Sequence, residues 1–186
     1  MVDRHVVKMI LESAQLLSTA HRVIDGVEQA GVSPSGRSKK EWKLSDVRDD
    51  LLYSSTHINH PSAIWARESR ENYSWLYRHF MALGSEYTHR YGKQHLSCIK
   101  FETILQSPPN NLQATDMTPM PSCMADEFKV GNDPITNYRN YYIMGKSSLH
   151  RWTNRLPPQW IPGEVIIIPT DDEDDNNNRT VYTIKR

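Results

Sequence analysis

An unbroken helix-forming run opens the chain, and its apolar residues cover so much of the circumference that it has to lie among other elements. His5, Lys8, Glu12, Gln15 and Thr19 fall at i, i+3, i+7, i+10 and i+14. At about 100° per residue they stay within about 80° of one another. Val6, Val7, Met9, Ile10, Leu11, Ala14, Leu16, Leu17 and Ala20 take more than half of the remaining surface. An ordinary surface helix needs an apolar stripe of only about 100°. The spacing predicts a long first helix wedged among others, with Asp3 as its N-cap and Asp25-Gly26 as its stop. The imidazole, ammonium, carboxylate and amide on its polar strip form either a solvated side or the wall of a polar cleft.

A length of 186 residues suits one domain with a sizeable core. Mean hydropathy is −0.66, and no run reaches the roughly eighteen apolar residues of a membrane span, so no membrane partner is expected. Lys8, Glu12 and Gln15 break the apolar segment 6–17, so it does not read as a secretory signal. Cys98 and Cys123 are not in a CxxC spacing and fit free thiols in a reducing compartment, which makes the cytoplasm the expected location. Net charge is zero overall, yet residues 1–160 carry a net +3 and residues 161–186 a net −3. A mildly basic body permits a nucleic-acid partner without demanding one.

Four segments organise the chain. A Gly-, Ser- and Lys-rich stretch, residues 31–43, reads as a loop with Lys39, Lys40 and Lys43 clustered. Pro61 then opens a second long helix over residues 63–91, closed by Gly92, and a third runs over residues 96–106. Residues 107–133 are too apolar for a free linker and too punctuated for a helix, which predicts extended chain packed across the helices. The fourth segment, residues 134–155, interleaves Tyr138, Arg139, Tyr141, Tyr142, Lys146, His150, Arg151, Trp152 and Arg155. Aromatic rings beside cations suit stacking on bases and contact with phosphates, and equally suit an amphipathic helix with its rings in the core. Residues 165–168 and 180–184 are β-prone runs flanking the acidic block 171–175, which reads as a solvated loop. The expectation is a mainly α, single-domain helical bundle around a long first helix. It comprises a helical domain over residues 1–160 and a C-terminal hairpin with acidic loop over residues 161–186.

No GxxxxGK[ST], GxGxxG or GxSxG motif is present, which removes support for nucleotide-cradling and hydrolase-elbow readings. His57-x2-His60 matches no familiar metal-ligand set, and no metal site is expected.

Asp3-x-His5 followed by Glu12 on an opening helix resembles the first helix of the small phage-type pyrimidine-dimer DNA glycosylases and AP lyases of the endonuclease V type. Tyr141-Tyr142-Ile143-Met144-Gly145-Lys146 looks like that family's Tyr-Tyr-Gly-Lys with two residues inserted. The resemblance spans residues 3–155 in outline and rests on about ten positions. It implies a DNA-repair enzyme that needs no cofactor, works as a monomer on double-stranded DNA in the cytoplasm of the host cell, and flips a damaged pyrimidine out of the stack. It assigns catalysis to Glu12 with His5, and contact with DNA to Arg22, Tyr138, Arg139, Tyr141, Tyr142, Lys146 and Arg155.

This chain departs from the family where Leu11 and Gln15 replace two arginines beside the glutamate, and where only eleven residues precede Glu12. The family's Schiff-base amine lies about twenty residues ahead of that glutamate. The resemblance therefore implies either a family-like N-terminus upstream of Met1 or a relocated amine, for which Lys8 is the candidate. Two alternatives stand beside the glycosylase: a catalytically inactive nucleic-acid-binding phage accessory protein, and an enzyme acting on free nucleotides.

Overall fold

The computed structural model describes residues 1–33, 35–168 and 179–185. The described chain is α/β rather than a mainly α bundle: 45% is helical and 14% is strand, in six helices and two small antiparallel sheets. The acidic block 171–175 lies outside the described residues.

The long first helix is present as α1, Asp3–Asp25. Val2, Val6, Ile10, Ala14, Leu17 and Ala20 repeat at three and four residues and are fully buried. Its polar strip changes character along the helix: Lys8 is exposed, His5, Glu12 and Gln15 are half-buried, and Thr19 is buried.

The first correction to the helical expectation follows at once. Residues read as a loop form an antiparallel ribbon, β1 (Val27–Val32) paired with β2 (Ser38–Lys43), in a register that runs from Val27 opposite Lys43 to Val32 opposite Ser38. Lys, Glu, Gly and Ala are depleted in strands, so composition hid it. The pairing places Lys40 on Glu28 at 2.7 Å and lays the Glu41 side chain over Gly31, where any Cβ would meet it at 2.4 Å.

After α2 (Arg48–Leu51), the expected second helix is two: α3 (Pro61–Ala66) and α4 (Arg70–Tyr91). The break falls at buried Ser69, whose hydroxyl accepts from Asn72 N at 3.1 Å and so caps α4. The next helix, α5 (Leu96–Phe101), is shorter than its periodicity predicts. The helix α6 (Pro134–Met144) is set by Asp133, which accepts from the backbone of Ile135 and Thr136, and by proline in its first turn. The expected C-terminal strands, β4 (Glu164–Ile168) and β5 (Val181–Lys185), are antiparallel, and β3 (Trp152–Thr153) joins them in the order β3-β5-β4.

The described chain forms two compact units, to both of which α1 and α4 contribute. The first unit gathers residues 1–8, 85–94 and 122–186, so β4 and β5 belong to it. Its core is Val2, Trp152 and Ile161, flanked by Tyr142, Leu149, Trp160, Tyr182 and Ile184. The second unit gathers residues 9–84 and 95–121. There the segment after α5 crosses the helices as extended chain, as its composition predicts. Thr118 pins it by donating from its backbone to Asn72 Oδ1 at 2.9 Å and by accepting the Trp65 indole N–H at 3.0 Å. No helix among the described residues is long and apolar enough to cross a membrane.

Candidate nucleic-acid interface

The first unit brings together several of the residues that the sequence singles out. Tyr142, on α6, meets His5, on α1: its hydroxyl lies 2.5 Å from His5 Nδ1, with the rings edge to face at 5.3 Å. Burial pushes the Tyr142 hydroxyl well above the usual phenol range. The phenol therefore stays protonated beside the His5 ring. His150 holds the same tyrosine from behind, donating from Nε2 to the Tyr142 carbonyl at 2.9 Å, while its own carbonyl takes the Thr183 hydroxyl. The far edge of Tyr142 meets Trp160 at 6.2 Å, and the Arg139 guanidinium lies 5.7 Å from the centre of that indole.

One turn away, the Lys146 ammonium sits 4.7 Å over the Tyr141 ring, which also packs on Phe128. Gly145 makes this possible, since a Cβ there would meet the Tyr141 ring at 2.7 Å. The Tyr-Tyr-x-x-Gly-Lys run thus has a local reason: its glycine lets an aromatic ring fold back under the lysine. Arg139 is exposed, whereas Trp160 is half-buried. The result is an arginine-over-tryptophan pair beside a tyrosine held by two histidines, with a second cation-over-ring pair at the C-terminal end of α6.

Other assigned residues do different work. Tyr138 accepts from the Cys123 backbone N–H at 3.2 Å, which ties the incoming chain to α6. Arg155 is turned onto Glu86, with bonds of 2.6 and 3.0 Å to its two carboxylate oxygens. Arg22 is a correction. It is 5% exposed, and its five N–H groups all have partners: Tyr53, Trp42, Asp49 and Leu52 carbonyls, and the Asp49 carboxylate at 2.6 Å. None is left for a phosphate, so Arg22 holds the chain after α1 rather than DNA.

The proposed catalytic residues divide. His5 and Glu12 lie on one face of α1 but two turns apart, about 10 Å along the axis, and His5 is engaged by Tyr142. Glu12 is half-buried in the second unit, and Lys8 is exposed. Among the described residues no group of three or more His, Cys, Asp or Glu side chains is arranged to hold a metal.

Sequence reasoning missed two features. Asp3 is not a cap for α1: its carboxylate accepts Arg90 Nη1 at 2.8 Å together with the backbone N–H and hydroxyl of Thr153. Trp160, rather than the buried Trp152, is the tryptophan at the patch. Its signal in the sequence is its place between Pro157-Pro158 and Pro162, a stiff stretch that presents a large ring. No protein-family model, no curated protein and no solved structure matches the chain.

Proposed function

We propose that this chain is a DNA-binding protein of the glycosylase type, which receives an unstacked, damaged pyrimidine nucleotide at the Tyr142, Trp160 and Arg139 patch. The observation that carries this reading is the Arg139 guanidinium lying over the Trp160 ring beside Tyr142. Arginine planes and aromatic faces are what unpaired bases stack on, and a flanking cation neutralises phosphate. A body carrying only a modest positive charge suits weak binding to intact duplex, with selectivity coming from the lower cost of extruding a poorly stacked base.

The chemistry follows the resemblance of the first helix. A primary amine of the protein bonds to C1′ as the bond from C1′ to the base breaks, and the departing base takes up a proton. Opening of the sugar ring then leaves an imine, with Glu12 as the carboxylate that stabilises the developing positive charge and moves protons. The host-cell cytoplasm is the matching location.

A second reading, binding without chemistry, is favoured by one observation. Lysine amines become good nucleophiles when desolvated, and Lys8 is exposed. Incubation with duplex containing an abasic site and borohydride separates the two. The glycosylase reading expects a covalent protein–DNA adduct that Glu12→Gln greatly reduces without loss of binding. Adduct formation abolished by Lys8→Ala identifies the amine. Binding with no adduct sinks the enzymatic reading and leaves the binder, and the absence of both binding and adduct sinks the whole proposal.

A further inference from the structure

The ribbon β1–β2 is anchored at Trp42, whose carbonyl accepts from Arg22, and is exposed at its distal end. Val27 is 73% exposed, Val32 67%, and every described residue from Ser35 to Lys40 is exposed. A two-stranded hairpin with so little packing is marginal on its own in water, so what it carries matters more than what it buries. Its distal end, residues 33–40, contains Arg37, Lys39, Lys40 and three serines, and no carboxylate. The turn is closed by its own hydrogen bonds: Gly36 N to Ser33 O at 2.8 Å, and Arg37 N to Ser33 Oγ at 3.0 Å. Those bonds place the Arg37 backbone at the tip, where the residue is exposed.

Two acids reach in from the strand bodies, Glu41 to Lys39 at 2.8 Å and Glu28 to Lys40 at 2.7 Å. Pairs this exposed are weak and are screened by salt, so a denser anion displaces them readily. The side chains opposite the lysines are small: Gly31 faces Lys39 and Ala30 faces Lys40. Lys39 and Lys40 project from opposite faces of the ribbon, since successive residues of a strand point to opposite sides.

We infer that the β1–β2 ribbon is a DNA-contacting arm that enters the major groove of duplex DNA and sets Arg37, Lys39 and Lys40 against the phosphates of its two walls. The major groove is wide enough for a two-stranded ribbon, and cations displayed on both faces meet both strands. Glu28 and Glu41 moderate the attraction, which keeps the arm's grip sensitive to salt. This rests on the DNA-binding reading above.

The test is fluorescence anisotropy of a labelled undamaged duplex of mixed sequence, titrated at several salt concentrations with the full chain. Arg37→Gln/Lys39→Gln/Lys40→Gln is expected to weaken binding about tenfold or more near 0.1 M salt and to flatten the salt dependence by two to three released counterions. Glu28→Gln/Glu41→Gln is expected to do the opposite, tightening binding several-fold. Circular dichroism should be the same for all three proteins, because the substituted side chains lie outside any core. Wild-type binding with an affinity and salt slope untouched by either set of substitutions overturns the arm and leaves the DNA-binding reading standing. No duplex binding by the wild-type chain at low salt overturns both.

Discussion

Replacing Arg90 by Met is expected to destabilise the first unit by about 3–5 kcal/mol, a large fraction of the stability of an ordinary domain. Arg90 is 2% exposed and runs between Asp3 and Glu86, at 2.8 and 2.6 Å, with a further bond to the Met1 carbonyl at 2.9 Å. Glu86 also has Arg155, whereas the Asp3 carboxylate would lose its guanidinium and keep only the neutral donors of Thr153 and Tyr91. A buried carboxylate without a cation is the costly state. Removing both charges should therefore recover much of the loss, and Asp3→Asn/Arg90→Met is expected to be clearly more stable than Arg90→Met alone. Thermal and urea unfolding measure both variants. A loss below about 1 kcal/mol for Arg90→Met would mean that the pair behaves as a solvent-screened surface contact.

The second large effect is a dependence on pH that comes from one histidine. His21 is buried on α1 in the second unit. Its Nε2–H donates to the Tyr73 hydroxyl, which in turn donates to the Leu105 carbonyl, each at 2.9 Å. Its Nδ1 faces Arg48 Nη1 at 3.0 Å and can only accept there. A proton on Nδ1 would face a guanidinium. Burial and then Arg48 hold its pKa down from 6.5 to about 4, against the smaller opposing pull of Asp25, the Ser107 backbone and Asp46.

Because the folded value lies below the unfolded one, the unfolded chain binds the proton first. Stability is full above about pH 6.5, falls as pH drops through the window down to about 4, and then levels off with respect to this group. That gap corresponds to about 3 kcal/mol. The carboxylates of the same network, Asp25 and Asp46, are held below their ordinary values. Their stabilising contribution is lost from about pH 5 downward, so it overlaps only the acidic end of the His21 window. Urea midpoints at closely spaced pH values should show the decline, and His21→Gln should flatten it between pH 6.5 and 4. A wild-type midpoint constant across that window would contradict the buried neutral histidine.

These two networks also mark the limit of what the sequence discloses. Local signals are legible where a residue acts on its own neighbours. The apolar spacing of α1 and its end at Asp25, the helix opened by Pro61, and the β-prone runs at residues 165–168 and 180–184 all reach the structure close to their expected places. The partners of Asp3, Arg22 and His21 lie far away in sequence, and no periodicity shows them. Asp3 therefore reads as a cap and Arg22 as a phosphate contact, when each is consumed by distant carbonyls, hydroxyls or charges. The ribbon was hidden for a related reason. Its strands are held by backbone pairing rather than by β-forming residues, so their composition points to a loop. At the aromatic patch the sequence supplies Tyr142, Arg139 and Lys146, but not Trp160, which reaches Tyr142 only through the fold of the proline-rich segment after β3.

The claim that this patch receives an unpaired nucleotide is tested most directly by binding to two duplexes of one sequence, one intact and one with a single abasic site, at low salt. The wild-type chain should prefer the abasic duplex. Arg139→Ala/Lys146→Ala should weaken binding to both about equally, since it removes phosphate-neutralising charge. Trp160→Ala should mainly erase the preference, costing about tenfold on the abasic duplex, as expected for loss of a stacking face. Equal affinity of the wild-type chain for the two duplexes, or a preference that survives Trp160→Ala unchanged, would contradict the account.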